Sequence, residues 1–504
     1  MLERNRDERP LWFDDPGDFV ALRELLDRAG FTDSGVVAAL GVEDVRSLSE
    51  RDLAVLLRAT RGGSPLETLI RLFLIGVAVE AGAARRAAEP MGVERWAEAG
   101  LVAMQGASVV GSVRLLPFRW LLLAFDLPLQ PGRLRPNYVM GVGNSSLTLA
   151  ALTVRRPCSL ALDLGTGCGF LAFLAARHSR AVVATDRNPR AMHLAAFNAR
   201  LNGLANVECL EGDLFEPVAE RQFDLIVSNP PFVISPERHY VYRDSGLGGD
   251  EIVRAVLRGG AAHLRDGGYC QVLCNWARVA GEDWQERLAG WARGTGCDAW
   301  VLRSHTLDPA AYASKWIRHT ECDEPEAFAR RFEEWMAYYE RERIESISAG
   351  LITLRRRSGH GNWFQASDSA EKAPARAGES IARAFDARDF LETMHDDSLL
   401  REQRLAVSPD ARLEQRLRPS PEGWEIEGCT LRLEHGLVPP GDSDPYTAQL
   451  VARCDGTRRL GDLVGELAAA LGQDPPSTEA ACLGIVRRLV GSGLLLPPRD
   501  AASH

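Results

Sequence analysis

Lysine is nearly absent from this chain: Lys315 and Lys372 stand alone against 57 arginines. Together with the abundance of alanine, glycine and leucine, this reads as codon bias in a GC-rich genome rather than an adaptation. No Cys-x-x-Cys pair occurs among the ten cysteines, at 158, 168, 209, 270, 274, 297, 322, 429, 454 and 482. In a chain of 504 residues, that scatter excludes a disulfide framework and suggests reduced, mostly buried thiols. Cys270 and Cys274 could share one face of a strand, but no histidine lies at ligand spacing, so no metal site is expected. Long apolar runs are also missing. The longest, Leu72 to Val79 and Trp120 to Phe125, fall well short of the roughly 20 residues that a bilayer span requires. The opening MLERNRDERPLWFDD has no apolar h-region, so neither secretion nor membrane insertion is expected, and a cytoplasmic location is.

A basic domain is absent as well. Residues 134 to 358 hold 27 basic and 27 acidic side chains, residues 1 to 133 hold 16 and 19, and residues 359 to 504 hold 16 and 23. Proteins that grip phosphate backbones usually carry a basic face. At 55.2 kDa, 45% hydrophobic and 25% charged, the chain instead has the make-up of a globular protein of several domains.

Residues 1 to 130 read as a helical domain ending in a small β wing. Apolar residues recur at helical spacing, as in Phe19, Leu22, Leu25 and Leu26, and Ser64 precedes Glu67 by three as a capping box requires. Ser49 and Asp52 give a looser version of that pattern, and β-like stretches follow at Leu101 to Met104, Val109 to Leu116 and Trp120 to Phe125. The segment PLQPGRLRPNY is a linker. From Leu160 apolar strands alternate with helices, the mark of a parallel α/β sheet over residues 134 to 358. Seven strands are expected: 160–164, 181–185, 207–210, 225–228, 269–274, 299–302 and, after an aromatic-rich helical insertion, 350–354. Residues 359 to 380 read as a linker without periodicity, and 381 to 504 as a C-terminal domain. There, helices Leu460 to Leu471 and Glu479 to Val490 and a short strand before Pro497 suggest a winged-helix-like module.

The chemistry concentrates at strand ends. In Ala161-Leu-Asp-Leu-Gly-Thr-Gly-Cys-Gly169 a strand runs into a glycine loop and then a helix, with Gly165, Gly167 and Gly169 allowing a tight turn and close approach of backbone N–H groups to a ligand. The spacing is GxGxG, not the GxGxxG of dinucleotide binders, and a purely structural turn would carry the same glycines. The second strand ends in Asp186, 23 residues after Asp163, where a carboxylate can hold ribose hydroxyls. The third ends in Glu211-Gly-Asp213, a second carboxylate placed to accept from an adenine amino group. The fourth ends in Asn229-Pro230-Pro231-Phe232.

The order DLGTGCG, D, GD, NPPF resembles the class I S-adenosylmethionine-dependent methyltransferases that act on planar nitrogen, the HemK/PrmC glutamine-N5 and adenine-N6 group. The resemblance covers residues 138 to 277 and, weakly, the chain up to 356. It implies an α/β, Rossmann-like seven-stranded core that takes S-adenosyl-L-methionine. Asp163, Gly165, Thr166, Gly167, Gly169, Asp186, Arg187, Asp213, Leu214 and Asn229 would bind the cofactor; Asn229, Pro230, Pro231 and Phe232 would be catalytic. An amide or aryl amine has its nitrogen lone pair delocalised, and the Asn229 side-chain oxygen with the Pro230 carbonyl would accept its hydrogens and aim the lone pair at the methyl group. Phe232 would lie flat against the acceptor plane.

Tyr240, Tyr242 and Arg243, in the loop after the tetrad, are expected to line the acceptor pocket. Gly248-Gly249-Asp250-Glu251 looks like a stretch of the glutamine enzymes, and is equally an ordinary loop and N-cap. The insertion 308 to 347 is the second segment expected to shape that pocket; its Trp316, Phe328, Phe332, Trp335 and Tyr339 fall at helical spacing, which reads as core packing for most of them. Tyr138 to Ser146 lies about where enzymes of the resembled group place a segment covering the cofactor, and Tyr138 either caps the adenosine or simply begins the domain. The acceptor expected is a protein or peptide glutamine, release-factor-like, with adenine in structured RNA or DNA as the alternative and a non-catalytic cofactor-binding protein as the third reading. The sequence leaves room for a homodimer.

Overall fold

The alternation that starts near residue 160 builds one mixed sheet. A computed structural model describes residues 11–47, 52–127, 136–236, 250–320, 324–359, 361–369, 377–421, 423–434, 436–437, 441–472 and 475–498. Its central strands are β1 (Cys158–Leu164), β2 (Ser179–Asp186), β3 (Val207–Glu211), β4 (Phe223–Ser228), β5 (Leu264–Val279), β6 (Cys297–Leu307), β7 (Ile344–Arg356) and β8 (Phe364–Asp368). They lie in the order β8-β6-β7-β5-β4-β1-β2-β3. The pairs from β5 through β4, β1 and β2 to β3 are parallel, and β7 runs antiparallel to β5.

All seven expected strands are present, and the eighth is a correction. Phe364–Asp368 falls inside the stretch read as the linker 359 to 380, because an edge strand needs an inward side chain only at alternate positions. Phe364 and Ala366 supply those, packed on the core, and the intervening polar residues hid the pattern. That core is built from Leu162, Ile226, Val253, Val256, Val272, Trp276 and Leu354, all almost fully buried. Each such side chain contributes about 1.5–3 kcal/mol relative to exposure. Strands covered on both faces read as continuous apolar runs, which is why β1, β2 and β4 were the plainest elements in the sequence.

β1 has β2 on one side and β4 on the other, so the chain crosses over in opposite directions from its carboxyl end. A crevice opens at such a switch point and takes ligands in open α/β sheets. Helices α1 (Asn144–Leu152), α2 (Phe170–Ala175), α3 (Pro189–Leu201), α4 (Glu251–His263), α5 (Trp284–Ala292), α6 (Pro309–Thr320) and α7 (Pro325–Arg341) complete this part of the chain.

The N-terminal segment joins the same compact unit, Met1–Ala150 with Pro157–Val301 and His305–Ala366. Its first helix, Pro16–Arg28, starts at Asp15, whose side chain accepts from the Gly17 N–H, and buries Phe19, Leu22, Leu25 and Leu26. The capping box at Ser64 forms with Glu67 in both directions, at 2.9 and 3.3 Å. Ser49 lies outside the described residues, and Asp52 caps Leu53–Ala59 without a side-chain bond. The stretch Val109 to Leu116 is not one strand: Ser108–Gly111 pairs with Val79–Glu80 and Val102–Gln105, whereas Arg114–Phe118 forms a hairpin with Leu121–Phe125. That hairpin meets α3, where Asn198 and Asn202 imitate a neighbouring strand. Their side-chain oxygens accept from the Ala124 and Leu122 N–H groups at 2.7 and 2.9 Å, and their amide nitrogens donate to the carbonyls of the same two residues at 2.9 and 2.7 Å.

A second unit comprises Ala151–Arg156, Leu302–Ser304 and Ser367–His504. Its first long helix, Gly378–Thr393, begins inside the expected linker. Helices Pro445–Arg453, Leu460–Leu471 and Pro475–Gly491 pack around Leu450, Leu463, Leu467, Leu483 and Val486. The last helix starts at Pro475, four residues before the Glu479 expected, since proline in a first turn forfeits no helical bond. A hairpin of Ala411–Ser420 and Gly423–Leu433 precedes these helices, and Leu495–Leu496 pairs with Ala406–Val407.

Candidate active site

The glycine loop follows β1. Gly165 and Gly167 have φ of 75° and 58°, in the left-handed region, and a Cβ on either would meet nothing within 4 Å. Their bare backbone therefore faces open space. Gly169 serves another purpose: it caps α2, and a Cβ there would lie 2.2 Å from the Phe173 ring. Of the residues expected to touch cofactor, Gly169 and Asp163 are the two outside the cavity wall described below. Asp163 is wholly buried, and its Oδ2 accepts from Thr166 Oγ1 at 2.6 Å and from the Ala172 N–H at 2.9 Å. It thus ties loop and helix together. Burial pushes its carboxyl up to about 7 despite those two bonds, and the nearby Asp186 adds to the rise.

Asp186, at the end of β2, accepts from the Gly167 N–H at 3.0 Å and the Asn188 N–H at 2.9 Å. Burial raises its carboxyl, and those backbone bonds oppose the rise. The carboxylate is thereby clamped between the loop and the start of α3, where Asn188 is N-cap. Asp213 is exposed beside Leu214, which adopts φ of 47°. Across the cavity, burial pushes the Tyr138 hydroxyl up to about 12, with the Asp126 charge reinforcing and Arg114 opposing. Asp126 holds this segment in place: it accepts from the Val139 N–H at 2.8 Å and pairs with Arg190 of α3.

The tetrad leaves β4 at its carboxyl end. Asn229 Nδ2 donates to Ser145 Oγ at 3.1 Å and to Ser146 Oγ at 3.3 Å, both in the first turn of α1. Asn229 Oδ1 is buried and has no hydrogen-bond partner, as are Asp163 Oδ1 and Thr185 Oγ1 at the ends of β1 and β2. A buried acceptor left so costs about 1–3 kcal/mol, and Asn229 and Thr185 line the cavity in which a ligand could complete them. Phe232 meets Trp316 of α6 edge to face, with ring centroids 6.4 Å apart. The backbone beyond it is fixed by two phenols. Tyr312 OH accepts from the Ile234 N–H at 3.2 Å, and Tyr339 OH donates to the Ile234 carbonyl at 2.8 Å. Asn275 on β5 in turn donates to Tyr312 OH at 2.7 Å.

These groups enclose one cavity of about 240 Å³, whose wall includes Tyr138, Ser145, Ser146, Gly165, Thr166, Gly167, Asp186, Arg187, Asp213, Leu214, Asn229, Pro230, Pro231, Phe232 and Trp316. Eleven of the thirteen described residues expected at the site are thus brought together. Tyr240, Tyr242 and Arg243 lie outside the described residues. Asp250 belongs elsewhere, in a two-pronged ion pair with Arg287 at 2.6 and 3.0 Å, without capping α4 through its side chain. The aromatic insertion is mainly core: Trp335 and Tyr339 are buried, and Phe328 and Phe332 pack partly buried on the same cluster. Trp316 is the member of the set that lines the cavity, although its spacing matches that of its buried neighbours. Ile252 and Val256 of α4, Asn188 and Met140 also line the cavity without a motif to announce them. Among the described residues no group of three or more His, Cys, Asp or Glu is placed to hold a metal ion.

Residues 143–279 match the methyltransferase small domain family. The regions on either side match two domains of unknown function, DUF7059 over residues 28–112 and DUF7782 over residues 382–497. A release factor glutamine methyltransferase of Xylella fastidiosa is 37% identical over 130 residues, 23% of this chain and 47% of that protein. A ribosomal protein uL3 glutamine methyltransferase of Bradyrhizobium diazoefficiens is 39% identical over 126 residues, 22% of this chain and 40% of that protein. The chain therefore spans less than half the length of these curated relatives. The family implies S-adenosylmethionine as cofactor, and the residues fit it. Two glycines leave a bare cradle at the helix entry, a clamped carboxylate ends the next strand, and a second acid stands beside them.

Proposed function

We propose that this chain is an S-adenosylmethionine-dependent N-methyltransferase whose acceptor is the side-chain amide of a glutamine in a protein or peptide. The observation that carries the reading is the Asn229 amide, its oxygen buried without a partner in the wall of the cavity that the glycine loop also lines. Gly165, Thr166, Gly167, Asp186, Arg187, Asp213 and Leu214 would hold the cofactor, which when bound supplies an electrophilic methyl group on sulfur. Asn229 Oδ1 and the Pro230 carbonyl accept the two hydrogens of the acceptor amide, which turns the nitrogen lone pair toward the methyl group and stabilises the charge that grows there. Pro230 and Pro231 fix φ and keep those oxygens from drifting. Phe232 and Trp316 bound the amide plane and exclude water. No general base is required, because the nitrogen becomes acidic only after transfer.

Glutamine is preferred over adenine on two grounds. Both relatives quoted above are named as glutamine enzymes. The balanced charge of residues 134 to 358 and the acidic flanks make phosphate binding unfavourable. Residues 381 to 504, read as winged-helix-like from their order of helix, helix and short strand, would recognise a protein partner rather than DNA. Arg487, on the helix that would read a groove, donates instead to the Met394 carbonyl at 2.7 Å and to Asp397 at 2.9 Å. Mass spectrometry of proteome and RNA from cells with and without the gene tests the acceptor. A methylglutamine lost on deletion and restored by the gene is expected; loss of a methyladenine alone would reassign it, and no lost mark in either fraction would sink the reading.

A further inference from the structure

The proposed reading turns on the Asn229 amide, and an amide has a polarity that its backbone does not set. Rotation about the last side-chain bond exchanges Oδ1 and Nδ2 with almost no change in shape. One orientation offers an acceptor to an incoming N–H; the other offers a donor that repels it. Something in the cavity wall has to choose between them.

Two hydroxyls are in place to do so. Nδ2 carries two hydrogens, and the two oxygens within reach are Ser145 Oγ at 3.1 Å and Ser146 Oγ at 3.3 Å. Both serines line the same cavity, and both belong to α1, on the opposite side of the sequence from the tetrad. With the amide turned over, its oxygen would face the serines and the NH₂ would take the place where Oδ1 now lies without a partner. Two buried donors would then go unmet instead of one acceptor, and the desolvation cost rises accordingly. A single hydroxyl would discriminate poorly, since it can donate as well as accept. A pair matched to the two hydrogens of one NH₂ discriminates better.

We propose that Ser145 and Ser146 are positioning residues that fix the polarity of the Asn229 amide, so that its oxygen is the atom presented to the N–H of the methyl acceptor. The inference rests on the reading of Asn229 given above and deepens it. It gives Ser145 and Ser146 a task of their own within a segment expected to cover the cofactor. It also explains why a helix start is packed against a strand-end loop more than 80 residues away in sequence.

The test compares wild type with the double variant Ser145→Ala/Ser146→Ala and with Ser145→Thr/Ser146→Thr. Transfer of labelled methyl from S-adenosylmethionine is measured into a protein and RNA extract of cells lacking the gene, over a dilution series of that extract. The double alanine variant should lose about tenfold in maximal rate, the worth of one net hydrogen bond. Its half-saturating extract concentration and its affinity for S-adenosylhomocysteine should match wild type, and the threonine variant should recover most of the rate. An unchanged rate in the alanine variant overturns the proposal. So does a loss of S-adenosylhomocysteine affinity, which would make the serines cofactor ligands or parts of the fold, and so does a failure of threonine to restore the rate. No incorporation by wild type would instead remove the underlying function, and the positioning role with it.

Discussion

On the side of β1 and β2, the cavity wall is backbone and strand-end carboxylate: Gly165 and Gly167 leave open space where a Cβ would lie, and Asp186 is clamped by the Gly167 and Asn188 N–H groups. On the side of β4 it is made of side chains gathered from separate segments. Asn229 leans on Ser145 and Ser146, Phe232 meets Trp316, and Ile234 is held by Tyr312 and Tyr339. The first half is assembled within some 30 residues of chain, the second across nearly 200. A local assembly can be reused wherever the same cofactor is wanted. A distributed one can be altered piece by piece, which suits the half that would choose the acceptor.

The sharpest way to separate the halves is Asn229→Ala. Turnover should fall on the order of a hundredfold or more, as for removal of one preorganised hydrogen-bonding group, with S-adenosylhomocysteine affinity nearly unchanged by calorimetry. A parallel loss of that affinity would merge the two halves. Asp186→Ala should do the reverse, weakening S-adenosylhomocysteine binding by about 1.5–3 kcal/mol. Binding of NAD in its place, with no heat from S-adenosylhomocysteine, would overturn the cofactor assignment. Trp316→Ala should raise the half-saturating extract concentration about three- to tenfold, the worth of an aromatic contact, and leave cofactor affinity alone. Phe232→Tyr should be mild beside Phe232→Ala.

A separate expected effect, on neither turnover nor binding, is in the pH dependence of stability. The Asp163 carboxyl is raised to about 7 in the fold, against an ordinary value near 4 in the unfolded chain. Between those two values the native state binds more protons than the unfolded state. The contribution is therefore fully present below about pH 4 and lost as pH rises through about 7, flattening above. Asp163→Asn, which cannot ionise, should show a shallower decline in melting temperature over that window; an equal slope would place the titration elsewhere.

Asp163 also marks where reading the sequence stopped. Its position in the DLGTGCG string aligned it with the cofactor residues, yet its bonds run to Thr166 and Ala172 inside the protein. A carboxylate that holds a loop and one that holds a ligand look alike in a string. The glycines were legible because positive φ and lack of a Cβ are demands on the residue itself. Trp316 could not be singled out within its aromatic set, because helical spacing is the same for a residue that faces the core and for one that borders a cavity. The strand Phe364–Asp368 was hidden for a related reason: at the edge of a sheet only Phe364 and Ala366 turn inward, too few to raise a pattern over their polar neighbours.

The sequence by itself determined the strands β1 to β7, the glycine turn, the carboxylates at the ends of β2 and β3 and the tetrad at the end of β4. Each is specified over a handful of consecutive residues, by apolar runs, conformational demands or loop chemistry. The tertiary structure alone decided which side chains face the tetrad. The meeting of Asn229 with Ser145 and Ser146, and of Phe232 with Trp316, depends on where α1 and α6 come to rest against the sheet. That is set by the packing of whole cores such as the one around Trp335 and Tyr339, and no local pattern records it.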